Sequence, residues 1–300
     1  GGEGARRGRA MFVQKDARKV REILDDEADP REKLFLARRG PEFPNGSIRA
    51  VLCRPRQVER LGNLRHLSLY GNDLVSLGGI QALAACPHLE SLDVGANRLT
   101  ELPEEIGQLV SLRALVADDN QLAAIGPGVC ALSSLEVLRL SSNRIQQVPA
   151  ELARLTSLKT LTLDNNAIES LPDSFGALVA LESLNLRKNR LRELPTGFGN
   201  FAKLQTLVAS SNALRSFLPA DAIAGLAALQ TLLLNGNEIE QVPPELGQVK
   251  TLARINLSNN ALLPSLVETL QSSLPELKAM GQRAPLDAAP QAEHGVLQAA

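Results

Sequence analysis

Tryptophan is absent from the 300 residues and tyrosine occurs once, at Tyr70. A chain with so few large rings has little on which to stack unpaired bases, so nucleic acid is not an expected partner, even though Arg49, Arg54, Arg56, Arg60 and Arg65 cluster in the first quarter. Cysteine is scarce as well. Cys53, Cys86 and Cys130 are odd in number and not closely paired, which argues against a disulfide framework. Cys86 falls in a leucine slot and is expected in the core, and neither Cys53 nor Cys130 has a histidine or acid in motif spacing, so neither a metal nor a cofactor is expected. Neither sign of charge dominates, with 32 basic and 33 acidic residues, and recognition by charge must therefore come from local arrangement. No run of 18 apolar residues is present to insert into a membrane, and no secretory signal pattern opens the chain. The expectation is a cytoplasmic protein, with the nucleus as the other compartment open to it.

What the chain does have is repetition. Asn72, Asn97, Asn120, Asn143, Asn166, Asn189, Asn212, Asn237 and Asn260 recur at steps of 23 or 25 residues. Each ends the same phrase, seen most cleanly in Leu158, Leu161, Leu163, Asn166, Ile168 and Leu171-Pro172. The alternation at Leu161 and Leu163 is a strand signal, with those two leucines inward and Thr160, Thr162 and Asp164 outward. The asparagine then turns the chain, its amide able to satisfy backbone groups that leave the sheet. Its expected role is structural. A return segment such as Leu171 to Leu178 buries its apolar residues from the other side, and Phe175, Phe198 and Phe201 fall in those slots as core.

This pattern resembles the leucine-rich repeat superfamily, which implies an α/β architecture: a right-handed βα solenoid, or horseshoe, of about nine repeats with short parallel strands on its concave face. The returns Leu102-Pro103-Glu104-Glu105-Ile106-Gly107-Gln108-Leu109, Val148-Pro149, Leu171-Pro172, Leu194-Pro195 and Val242-Pro243 are similar to those of the intracellular Ras-group subclass. Leu74 to Ile80 is closer to the phosphatase-regulator subclass, and the tryptophan-containing C-terminal motif of the plant relatives is absent. The resemblance spans residues 61 to 262. It implies a non-catalytic adaptor, monomeric on its own, that binds a protein: a small GTPase, a phosphatase or a subunit of a larger complex. A constitutive structural subunit held through its caps or edges is the alternative.

An array has open ends that flanking segments must cover. Residues 1–10 are expected to be a disordered leader, with Met11 a candidate initiator. Residues 11–60 are expected to form an N-terminal helical cap and a degenerate repeat, with helices over Asp16 to Glu27 and Asp29 to Arg39 and a strand over Ile48 to Leu52. The array then runs over 61–263. Leu266, Leu270, Leu274 and Leu277 predict a capping helix over 264–280, and 281–300 reads as a disordered tail.

The outward strand positions form the candidate binding face. Asp93, Asp118, Asp119 and Asp164 make its early-middle part acidic, and Arg139, Arg144, Arg187, Lys188 and Arg190 its later part basic. Such a dipole could steer a partner. Alternatively the charges pair across strands, Arg139 with Asp118 or Asp164, and serve register. Val208 and Leu233 are neighbouring outward aliphatics and hence a candidate exposed anchor. His66, Ser91 and Asp93 share a side, the ingredients of a nucleophilic triad, but no nucleophile turn or phosphate loop accompanies them. The two longer repeats carry insertions at Ala84 to Pro87 and Ser216 to Pro219, expected to absorb packing irregularities.

Overall fold

The computed structural model describes residues 19–25 and 32–262; the expected leader, closing helix and tail lie outside the described residues. Ten strands of three residues each form one parallel sheet in chain order. They are β1 (Lys33–Phe35), β2 (His66–Ser68), β3 (Ser91–Asp93), β4 (Ala114–Val116), β5 (Val137–Arg139), β6 (Thr160–Thr162), β7 (Ser183–Asn185), β8 (Thr206–Val208), β9 (Thr231–Leu233) and β10 (Arg254–Asn256). The register is set by the middle residue. Leu34, Leu67, Leu92, Leu115, Leu138, Leu161, Leu184, Leu207, Leu232 and Ile255 pair in sequence and point into the core, because a one-residue slip would turn the whole apolar set outward.

Three residues past the end of each strand, immediately before the ladder position, the backbone takes a positive φ. Arg38, Gly71, Ala96, Asp119, Ser142, Asn165, Lys188, Ser211, Gly236 and Asn259 all take φ between 52° and 70°. The asparagine that follows points its side chain back into the bend. Asn166 Nδ2 donates to the carbonyls of Leu163 (3.0 Å) and Leu140 (2.9 Å), and its Oδ1 accepts the Ile145 N–H at 2.9 Å. Leu163 belongs to its own repeat; Leu140 and Ile145 belong to the one before. Seven further asparagines, from Asn97 to Asn260, make the corresponding bonds, and Asn72 makes the same two donations while its Oδ1 accepts from the Arg39 N–H.

The returns opposite the sheet are mostly single turns of 3-10 helix, such as Glu104–Gln108, Ala150–Arg154, Asp173–Ala177 and Thr196–Asn200. Proline precedes each of them in extended conformation, its locked φ and missing N–H suited to the residue before a helical turn. Phe175, Phe198 and Phe201 fill the core beneath, with ring centroids 5.0 to 6.0 Å apart. Both longer repeats absorb their extra length as six-residue helical turns, Ile80–Ala85 and the α-helix Ala220–Gly225. Neighbouring returns approach closely at glycine: a Cβ on Gly225 would lie 1.8 Å from the carbonyl oxygen of Gly199, and one on Gly176 2.3 Å from that of Gly197.

The N-terminal cap departs from expectation in two places. Helix α1 (Val20–Asp25) lies within the expected first helix and buries Val20, Ile23 and Leu24. Of the expected second helix over Asp29 to Arg39, the described part, residues 32–39, is instead strand β1 and its turn. Leu34 and Leu36 are buried and Phe35 is not, so the Leu-x-Leu alternation governs, and the Arg39 N–H donates to Asn72 Oδ1 from the place a ladder asparagine would hold. Conversely, the expected strand over Ile48 to Leu52 is helix α2 (Arg49–Leu52). Ile48 and Leu52 are both buried, and a separation of four puts two residues on one side of a helix and of a strand alike, so burial spacing could not separate the two. Helix α3 (Pro55–Arg60) follows, with Val58, Leu61 and Leu64 buried as their spacing predicts.

Two stability predictions follow from these contacts. Asn166→Asp keeps the shape but removes the amide donor; the Leu140 and Leu163 carbonyls keep the Asn143 (3.0 Å) and Asn189 (2.9 Å) amides, so losing one donor each and facing a carboxylate instead should cost about 1–3 kcal/mol in urea unfolding. An unshifted urea midpoint would show that water replaces the bonds. Gly225→Ala should lower stability by about 1–3 kcal/mol through overpacking, whereas Gly247→Ala, with no atom within 4 Å of the new methyl, should not. Equal melting temperatures for the two would show that the returns can separate at little cost.

Candidate protein-binding face

Because every strand is three residues long and in register, the outward side chains form rows across the sheet about 4.8 Å apart. The central row runs Phe35, Ser68, Asp93, Val116, Arg139, Thr162, Asn185, Val208, Leu233 and Asn256. The next row passes through Tyr70, Gly95, Asp118, Ser141, Asp164, Arg187, Ser210 and Asn235.

Within these rows the polar groups largely satisfy one another. Asp93 accepts from the Ser68 hydroxyl (3.1 Å) and the Gly95 N–H (2.9 Å). Asp118 accepts from Arg139 at 2.8 Å and from the Ser141 N–H at 2.8 Å. Asp164 accepts from the Ser141 hydroxyl (2.6 Å) and the Asn185 amide (3.0 Å). Of the two ways open to these charges, Arg139 and Asp118 take cross-strand pairing. Burial pushes the Asp93 carboxyl above its ordinary value, and the Asp118 charge adds to this, against the Gly95, Ser68 and Arg139 interactions. Asp118 is raised in the same way, chiefly by burial and against the pull of Arg139.

The other sequence-derived candidates fall in different places. Lys188 and Arg190, both exposed, sit on the turn that leaves β7, and Arg144 stands exposed on the equivalent turn two repeats earlier. Val208 and Leu233 pair in register on the outward face, yet they are only 4% and 6% exposed, so the expected exposed anchor is closed. The close strand spacing makes each outward side chain cover the next, and Ser91, Thr162 and Ser210 on the same face are buried for that reason. No triad forms from His66, Ser91 and Asp93. His66 pairs in register with Ser91, but its Nδ1 has no hydrogen-bond partner and Asp93 is committed to Ser68 and Gly95. Burial, then the Lys33 charge, holds the His66 imidazole below its ordinary value.

One row was missed in the sequence although its signal was there. The residues just before the strands alternate in sign: Glu32, Arg65, Glu90, Arg113, Glu136, Lys159 and Glu182. Ion pairs join Arg65 to Glu90 (2.6 Å), and Glu136 to both Arg113 (2.5 Å) and Lys159 (2.6 Å). The Lys159 hydrogen bond is the main cause holding the Glu136 carboxyl below its usual value. Alternation at the repeat step, rather than along the chain, marks such a row.

Asp93 provides a pH test. Its folded pKa is raised, so between the unfolded and folded values the folded chain binds more protons, and stability falls as pH rises through that window. Asp93→Asn has no such loss. Its urea midpoint should exceed that of the wild type near about pH 7, with the gap closing toward about pH 4; a gap of constant size would mean that ionisation is not its cause.

No curated protein matches the chain in sequence. Among solved structures, a leucine-rich repeat protein of Leptospira interrogans is similar at 27% identity and a TM-score of 0.66, over 83% of this chain and 72% of that one. Internalin C2 of Listeria monocytogenes matches at 26% identity and a TM-score of 0.58, over 67% of this chain and 84% of that one. The ectodomain of the Arabidopsis thaliana receptor kinase GASSHO1/SCHENGEN3, solved in complex with Casparian strip integrity factor 2, is 33% identical with a TM-score of 0.62. That alignment covers 71% of this chain, which spans 27% of the ectodomain. A family model described as leucine rich repeat matches residues 62–122, 133–191, 157–214 and 181–239. With the repeat pattern matched over more than half of its length and carried by a ten-stranded parallel solenoid, the chain belongs to the leucine-rich repeat family.

Proposed function

We propose that this chain is a non-catalytic adaptor that binds a protein partner on the outward face of its sheet. The observation that carries this reading is the face itself: ten strands in one register give a continuous rigid surface. Its inner charges are tied to one another, while Arg144, Lys188 and Arg190 stand exposed along the turns at its edge. Side chains already held by hydrogen bonds lose little freedom on binding, and cations at the edge steer an acidic partner. That a related array is seen in complex with a separate factor supports the same reading. The resemblance of the returns to the Ras-group and phosphatase-regulator subclasses favours a role in GTPase or phosphatase signalling, in the cytoplasm or nucleus.

The test is a triple charge reversal, Arg187→Glu, Lys188→Glu and Arg190→Glu. Lys188 already occupies a positive-φ position, so glutamate there adds no new backbone penalty. The melting temperature should stay within about 3 °C, as for surface substitutions. Recovery of the partners purified with the wild-type chain should fall about tenfold or more near physiological salt. Undiminished recovery of every partner would move the search to the caps and the helical side, where a constitutive subunit would be held.

A further inference from the structure

With Val208 and Leu233 closed, the outward face needs another apolar anchor. Four large apolar side chains are well exposed among the described residues: Phe35, Val75, Val110 and Val179. Only Phe35, 44% exposed, stands on the outward face of the sheet, opposite Ser68, with Tyr70 two residues beyond the end of β2. Large aromatics in such positions are over-represented among the side chains that dominate binding energy. On the same stretch Lys33 and Arg38 are exposed, one before and one after Phe35. Neither has an ion pair with another described residue, in contrast to Arg39, Arg65, Arg98 and Arg139, which pair with Glu42, Glu90, Asp73 and Asp118.

From this arrangement we infer that the N-terminal end of the face, β1 and β2, receives an extended segment of a protein partner carrying one large apolar side chain flanked by acidic residues. The apolar side chain packs on Phe35 and the acids meet Lys33 and Arg38. A nucleic-acid strand suits the site less well. Asp93 lies in the same row two strands on and Asp118 beyond it, and both would repel an unbroken run of phosphates, whereas separate carboxylates can be spaced to avoid them. The assignment rests on the outward-face function proposed above.

The test uses the full chain as bait for a random dodecapeptide display library, followed by fluorescence anisotropy on the selected peptides. A consensus of one aromatic or branched apolar residue between Asp or Glu is expected. Phe35→Ala should weaken those peptides about tenfold or more, and so should the pair Lys33→Glu, Arg38→Glu, while Val110→Ala should have no effect. Near-wild-type melting temperatures for all three variants would keep a folding defect out of the result. Peptides weakened by Lys188→Glu, Arg190→Glu but not by Phe35→Ala would overturn this anchor and leave the broader function standing. Peptides indifferent to both sets would overturn both. A library yielding no binder, or a fluorescent oligouridylate bound as tightly as the best peptide, would also overturn the anchor.

Discussion

Everything in this molecule depends on how a strand of three residues can end without leaving its backbone groups unpaired. The ladder asparagine provides the means. It occupies a bend created by one positive-φ residue, and its amide supplies donors and an acceptor that the interrupted sheet has lost. Because one donor reaches the same repeat and the other bonds reach the one before, each asparagine both closes its own turn and fastens two repeats together. Within the array each carbonyl so bonded accepts from two ladder amides, Leu140 from Asn143 and Asn166 and Leu163 from Asn166 and Asn189, so both of its lone pairs are used and the bonding runs unbroken from repeat to repeat. The apolar layers can then stack at a fixed period, and the outward rows inherit their alignment from it.

That alignment governs what the face can offer a partner. Side chains on adjacent strands stand so close that they hydrogen-bond, pair or cover each other, as Arg139 does with Asp118 and Val208 with Leu233. The middle of the sheet is therefore a surface already satisfied from within. Groups with capacity to spare lie where a row ends or where the chain leaves the sheet: Phe35 on the first strand, and Arg144, Lys188 and Arg190 on turns. Recognition is thus displaced from the centre toward the margins, in contrast to interfaces whose energy concentrates in a central patch.

The repeat period made most of the fold legible. Leu161, Leu163 and Asn166 define a strand and its turn because their roles recur eight more times, and chance agreement at one repeat is corrected by the others. The cap offers no such redundancy. The step from Leu34 to Leu67 is 33 residues, and Arg39 stands where the ladder asparagine would be, so β1 carries the strand signal without its usual marker. That misassignment hid Phe35, since a helix over the same residues gives it no place on the face. Burial of Val208 and Leu233 was beyond reach for another reason: the sequence fixes which side a residue points to, but not how completely its neighbours 23 or 25 residues away enclose it.

Because each asparagine binds only its own repeat and the preceding one, the molecule is a series of short locks rather than a single large one. A force pulling its two ends would load these locks one after another, and the chain would lengthen in increments of one repeat, about 80 Å of extended backbone for 23 residues. A record from an optical trap that showed one abrupt extension of the whole array would contradict this. Seen this way, the ladder makes the protein a ratcheted tether, able to give way locally under tension while the repeats still folded keep their surface intact.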